Sequence, residues 1–497
     1  MMRVLGNRKR LCNGVTRRDL LQAGALAGGL GLADLLAVGS RAQAAPVLDP
    51  AFGRAKNCIL LFLYGAHSQL ETFDMKPHAP VEIRGTMQPI ASSLPGLDVC
   101  EHLPQTAKIM DRVTVIRSVT HPYPLHGVAF ATTGVSNIDV GMELNPRDER
   151  HYPYFGSCVE YFDRRDNGPA GHSLSNLALP FPFSSKRTDQ PFRAGPYAAF
   201  LGAAFDPVWT EFVGHGTKNV YKARPGFSYD GPEPYVACNP DAHFRLAAVD
   251  PQPGLTLDRW DRRRSLKLQF EESRRELDET ALGTNYSKFQ EAALGLLGST
   301  RVRDALDVRH EPDTLRDSYG RTLFGQSCLA ARRLVEAGTR MVSVFWDEYG
   351  LAGDAWDTHY DHFPRMVDQL CPGFDKAFAG LISDLDARGL LDETLVVVLS
   401  EHGRTPQIQN IPGGGRDHWS QAYSVAMAGG GVARGRVIGA TDSIAAQVKE
   451  RPVSPKSLLA TMYYALGINP HEEIELADGR RFPLLHEGAE VLKDALG

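Results

Sequence analysis

The strongest constraint on the fold lies between residues 340 and 406. The run "RMVSVFW" (340–346) reads as a buried strand, and a loop, "DEYGLAGDAWDTHYDH", follows it. Val367, Leu370, Phe374, Phe378, Leu381, Ile382 and Leu385 then recur at helical spacing, and Gly389 closes the helix. The stretch "LVVVLSEHGRTP" (395–406) comes next, opening with five apolar residues. A strand, a long amphipathic helix and a second strand predict a right-handed parallel crossover. "NCILLFLY" (57–64) and "VTVIRSV" (113–119) read as two more strands, and a helix over 324–337 ends at Gly338. The pattern predicts an α/β protein with a mostly parallel sheet flanked by helices.

Other stretches carry weaker signals. From 153 to 253 the chain is rich in Gly, Pro and aromatics without a long period, which predicts loops and short elements. Residues 257–306 read as helical and charged, a solvated face. Together they predict a loop-rich and helical insertion over about 153–317 in a domain spanning 45–497. The 497 residues and 43% apolar composition suffice for a large core.

Residues 1–44 read as a leader. Arg17 and Arg18 precede a mildly apolar, Gly- and Ala-rich run, and Ala42-Gln43-Ala44 offers a cleavage site. This predicts export by the twin-arginine machinery to the periplasm. An N-terminal membrane anchor is the alternative, against which the weak apolarity of the run argues. Loss of the leader takes the net charge from −5 to −10. No basic tract remains for nucleic acid or an anionic membrane, and no stable membrane span is expected. Six cysteines lie beyond the leader without a CxxC pair, which argues against a thiolate zinc site and leaves disulfide pairing open.

Ligand sites of parallel sheets lie beyond the carboxyl ends of the strands. Those ends are rich in acids and imidazoles. His67, Glu71 and Asp74 follow the first strand, and His121 and His126 follow the second. Asp354, Asp357, His359, Asp361 and His362 follow the third. Glu401 and His402 end the fourth, and Asp417 and His418 come shortly after on a Gly-rich loop. Mixed imidazole and carboxylate donors suit Zn²⁺ or Mn²⁺, and carboxylates alone suit Ca²⁺ or Mg²⁺. The alternative is a set of hydrogen-bonded loop residues, with His126 and His418 capping helices.

"FLYGAHSQLETFDMKP", "IRSVTHPYPLHG", "WDTH", "GLLDETLVVVLSEHGRTP", "GGRDHW" and "AGGGVARGRVIGATD" occur in this order, and the mature chain resembles a DUF1501-type protein. That export-signal-bearing family is of uncharacterised function and is similar to sulfatases of the alkaline phosphatase superfamily. The resemblance implies an alkaline-phosphatase-like fold with one or two divalent ions. It also implies a sulfated or phosphorylated small molecule or glycan as partner. Carried over, Glu401 and His402 are metal ligands, as are Asp357 and His359 for a second ion. His418 resembles a later single histidine of that site, and His362 is a second choice. Two departures stand out. Sulfatases place an Asp directly after the first strand, where this chain has Tyr64-Gly65, so Glu71 or Asp74 is the substitute. Residues 122–129 hold no Cys, Ser or Thr to serve as nucleophile, which leaves His126 as base, nucleophile or ligand. Arg404 either offsets anionic charge in catalysis or forms a structural salt bridge. The implied activity is metal-dependent hydrolysis of sulfate or phosphate esters. The alternatives are a non-catalytic cell-envelope or glycan-binding protein that kept the fold, and a metal-stabilised scaffold for another exported enzyme.

Overall fold

Apolar runs of six and seven residues build the centre of the molecule. β1 (Asn57–Leu63), β2 (Val113–Val119), β3 (Asn176–Leu179), β4 (Val208–Trp209), β5 (Met341–Trp346), β6 (Thr394–Leu399), β7 (Tyr423–Ala428) and β8 (Arg436–Ile438) form one sheet in the order β8-β2-β7-β6-β1-β5-β3-β4. Every residue of β5, β6 and β7 is buried, as strands covered on both faces require. The computed structural model describes residues 49–497 apart from 127, 136–138, 147, 149, 169–174, 188–192, 247–299 and 477. The leader expected at 1–44 lies outside these residues. So does most of the charged helical stretch at 257–306, of which the helix Thr300–Leu306 is described.

The sheet is mixed, with one strand reversed. β1 pairs in parallel with both β5 and β6, and the parallel run continues through β3 to β4. β7 alone is antiparallel to its neighbours, β6 and β2. The reversal of this inner strand is not legible in the sequence, because a buried apolar run carries no mark of direction. It has a consequence for function: β7 brings its N-terminal end, not its C-terminal end, to the rim where β1, β2, β5 and β6 terminate.

Helices cover both faces. α1 (Phe155–Asn167), α2 (Leu323–Glu336), α3 (Cys371–Ala387) and α4 (Pro455–Ala465) are the long ones among the described residues. Strand side chains alternate faces. On β5, Met341 meets α1 at Gly156, and Ser343 hydrogen-bonds the Tyr154 hydroxyl just before it. Trp346 points the other way, against Phe324 of α2 and Gly373 of α3. The Thr322 side chain caps α2 by accepting from the Gly325 N–H at 3.0 Å.

Two expectations are corrected. The apolar face predicted from Val367 onward is interrupted: a π turn spans Met366–Leu370 before α3 begins. It buries Met366 and Leu370 and leaves Val367 37% exposed. Pro372 has no N–H to return to the carbonyl four residues back, which favours the wider turn. The stretch expected as a covering insertion, 153–317, also supplies α1, β3 and β4 to the central layers. Strands of four and two residues are too short to show a period. The six described cysteines are buried and free. Among the described residues no helix is long and apolar enough to cross a membrane.

Candidate metal centre

Four strand ends and one strand start deliver the polar groups. The turn after β1 is Tyr64-Gly65-Ala66, and the segment after β2 carries His126. The loop after β5 carries Asp357 and His359, and β6 runs directly into Glu401 and His402. His418 arrives from the opposite direction, upstream of the reversed β7. A two-residue ladder pairs Arg404 with His418 and Gly403 with Trp419, which holds His402 and His418 side by side, ring centroids 4.7 Å apart.

The ligand atoms converge. His126, Asp357, His359 and His418 each offer one within 4.8 Å of the others, and so do His126, Glu401 and His402. His126 belongs to both groups: its Nδ1 lies 2.9 Å from Glu401 Oε1, and its Nε2 lies 3.2 Å from Asp357 Oδ2. Asp357 Oδ1 faces His359 Nε2 at 3.1 Å and His418 Nε2 at 3.5 Å.

Each remaining imidazole is oriented by its Nδ1. His402 donates it to the Gly403 carbonyl at 2.8 Å, and His418 donates it to the Pro124 carbonyl at 3.0 Å. His359 places its Nδ1 2.7 Å from Asp417 Oδ1. In the neutral rings the Nε2 lone pairs are therefore free to coordinate, the arrangement in which an outer acceptor fixes the tautomer of a metal-ligating histidine.

Electrostatics agree. Burial pushes His402 well below the ordinary imidazole range, and neighbouring His418 and His126 add to it. Burial and His126 bring His418 down to about 4. Both are neutral at pH 7, as ligation requires. Burial would also lower His126, but the Asp357 and Glu401 carboxylates outweigh it and hold the ring at about 9. Burial would raise the Asp357 carboxyl, but His126 and Arg404 hold it well below the usual range. The Asp357 and Glu401 carboxylates thus favour positive charge between them, where His126 sits. His402 Nε2 and Glu401 Oε2 are buried without a hydrogen-bond partner among the described residues. Leaving such atoms unsatisfied is costly, and coordination would satisfy both. The donor set fits a divalent ion.

The other expected site residues lie elsewhere. Glu71 is outside both groups. It is fully buried, engaged by Arg416 and by Ser68, and lies 3.2 Å from His362 Nε2. Asp74 pairs with Lys76 at 2.9 Å. In the turn after β1, Gly65 has no room for a side chain. Gly65 sits at φ 95°, and a Cβ there would lie 2.3 Å from the Asp357 nitrogen. Its N–H instead donates to Glu401 Oε1 at 2.8 Å. Arg404 is buried, with its guanidinium spent on Asp357 and on the carbonyls of Gly65, Ala66 and Arg416. It positions Asp357. His121 donates from Nε2 to the Glu401 carbonyl at 2.9 Å and positions that turn. Arg416 carried no separate signal in the sequence beyond its place beside Asp417 and His418. It is fully buried and ties Glu71 to the carbonyls of Ile83 and Thr405.

Fold and site define an α/β protein with a histidine–carboxylate cluster on the rim of its sheet. The chain belongs to the family described as protein of unknown function DUF1501, whose sequence profile matches residues 55–496. No curated protein matches it at a significant level. Among solved structures it is similar to the PsFucS1 sulfatase from Pseudoalteromonas sp., at 11% identity and TM-score 0.35 over 88% of this chain and 70% of that one. The lipoteichoic acid synthase LtaP from Listeria monocytogenes matches at 10% identity and TM-score 0.34, over 89% of this chain and 78% of that one. The phosphonate monoester hydrolase SpPMH from Silicibacter pomeroyi matches at 12% identity and TM-score 0.35, over 89% and 76%. Likeness at this level assigns no activity.

Proposed function

We propose that the protein is an exported, metal-dependent hydrolase of sulfate or phosphate esters. The observation that carries this reading is the convergence of His126, Asp357, His359, His418, Glu401 and His402, four of them imidazoles, with outer acceptors fixing three of the rings. A nitrogen-rich donor set supports Zn²⁺ or Mn²⁺ over Ca²⁺ or Mg²⁺. When bound, one or two such ions supply Lewis-acid chemistry for displacement at sulfur or phosphorus. The chain's residues do the positioning. Arg404 and the Gly65 backbone hold Asp357 and Glu401 in place, and the Asp417, Gly403 and Pro124 oxygens aim the rings. His126 sits between the two carboxylates, its nitrogens facing Glu401 and Asp357, which supports a place for it at the centre of the cluster. The twin-arginine leader supports export to the periplasm.

A second reading, a cell-envelope glycan-binding protein, is favoured by one observation: residues 122–129 contain no hydroxyl or thiol nucleophile of the usual kind. Purified protein reloaded with Zn²⁺ or Mn²⁺ and assayed on a panel of aryl and sugar sulfate and phosphate esters decides between them. Metal-dependent turnover, abolished in His126→Ala, is the expected result. A folded, metal-loaded protein that turns over no ester contradicts hydrolysis and supports binding alone.

A further inference from the structure

A cavity of about 240 Å³ opens beside the metal-binding cluster, between the hairpin Asn219–Arg224/Phe227–Pro232 and the loop after β5. Gly353 belongs to its wall, and a Cβ built on Gly353 would lie 3.5 Å from Asp357 Oδ2, the oxygen that faces His126. Gly353 thus adjoins both the cavity and the Asp357 carboxylate. Two aromatic side chains line the cavity while staying open to solvent, Tyr221 at 69% and Tyr360 at 41% exposure. Gln369 lines it too, itself only 6% exposed, and its Nε2 has no hydrogen-bond partner among the described residues. The exposed carboxylates of Asp361 and Asp368 belong to the lining, together with the cationic side chains of Lys222, Arg224 and Arg365.

The walls are built to stay in place. Lys222 of the hairpin is buried and ion-pairs with Asp354 of the site loop and with Glu233. Tyr229 packs so closely on Gly350 that a Cβ there would meet the ring at 2.4 Å. Asp361 is held at φ 50°, a backbone strain that a folded chain keeps where the surroundings determine it.

Exposed aromatic faces, carboxylate acceptors and a buried amide donor around a small cavity are the chemistry that recognises a pyranose ring. Its C–H faces stack on aromatics, and its vicinal hydroxyls bond to carboxylates and amides. We propose that this cavity holds the sugar ring of a saccharide whose sulfate or phosphate ester lies at the histidine–carboxylate cluster. The inference rests on the proposed function for the ester's position, and on the cavity alone for the sugar.

The test is binding to the metal-loaded protein by calorimetry. Glucosamine 6-sulfate and a heparin-derived tetrasaccharide serve as probes, with inorganic sulfate as the sugar-free control. Both saccharides should bind, and Tyr221→Ala and Tyr360→Ala should each weaken binding about tenfold, while Tyr221→Phe, which keeps the stacking face, restores it. A stronger tetrasaccharide than monosaccharide indicates a glycan source, and equal binding indicates a single sugar ester. Both support the cavity. Saccharide binding no tighter than sulfate, or unchanged in both alanine variants, overturns it. The readout is independent of turnover, so a wild type that hydrolyses nothing yet binds the saccharides refutes the proposed activity and not the cavity. A wild type that hydrolyses simple aryl esters but binds no sugar does the reverse.

Discussion

The Nε2 atoms of His359 and His418 stand 2.9 Å apart, while both Nδ1 atoms face oxygen, Asp417 Oδ1 at 2.7 Å and the Pro124 carbonyl at 3.0 Å. Two neutral rings oriented in this way point lone pairs at each other. A shared proton or a cation resolves the conflict, and Asp357 Oδ1, within 3.5 Å of both nitrogens, adds negative charge at the same spot.

The outer acceptor of His359 should therefore matter to metal affinity. Asp417 is 54% exposed at its side chain, so its loss disturbs little packing. Asp417→Ala should weaken metal binding by about 10- to 100-fold. It should also leave the unfolding free energy of metal-free protein within about 0.5 kcal/mol of wild type. Competition with a chelating dye measures the first and urea titration the second. Unchanged affinity would mean that His359 is not a ligand.

Gly65 is predicted to be irreplaceable by alanine. Its φ of 95° is one that L side chains rarely adopt, and a Cβ would lie 2.3 Å from Asp357 N. Gly65→Ala should cost on the order of 3 kcal/mol, because strain and overpacking act together. An unaltered urea midpoint would show that the β1 turn and the Asp357 loop are not packed as described.

Acid should destabilise the metal-free protein in two windows. Burial lowers His67 from 6.5 to about 4, so its neutral form is favoured in the fold. That contribution is complete above pH 6.5 and is lost as pH falls toward 4. Burial alone would raise Glu71, but Arg416 and His362 outweigh it and bring it from 4.5 to about 2. Its contribution is complete above pH 4.5 and is lost as pH falls toward 2. Each is worth on the order of 3 kcal/mol. In His67→Phe the slope between pH 6.5 and 4 should become shallower than in wild type, the remainder coming from His121, His402 and His418, which burial also lowers. A slope as steep as that of wild type in this window assigns the loss to other groups.

Much of this architecture is legible in the chain because buried parallel strands must be apolar throughout. β1, β2, β5 and β6 announce themselves, and their carboxyl ends locate Glu401, His402, Asp357 and His126 on one rim. What the pattern does not carry is direction and outer contact. Nothing in "YSVAMA" says that β7 runs backwards, although that reversal is why His418 can join the cluster from upstream. The acceptors that orient His402 and His418 are backbone carbonyls of Gly403 and Pro124, which any residue would supply. Glu71 looks like a ligand in the sequence because it follows β1. It is diverted by Arg416, whose distance of 345 residues along the chain hides the pairing. Val367 fits a regular helix and fails in the real one, because the π turn adds a residue before Leu370.

The central claim is that the cluster holds a divalent ion through His402 and His418. Elemental analysis tests it most directly on protein stripped with chelator, reloaded with Zn²⁺ or Mn²⁺ and desalted, comparing wild type with His402→Ala and His418→Ala. Wild type should retain at least one ion per chain and gain thermal stability on loading, since a ligand that binds only the folded state stabilises it. Each variant should lose bound metal and most of that gain. Wild type that retains no ion after reloading, or variants that retain as much as wild type, would contradict the account.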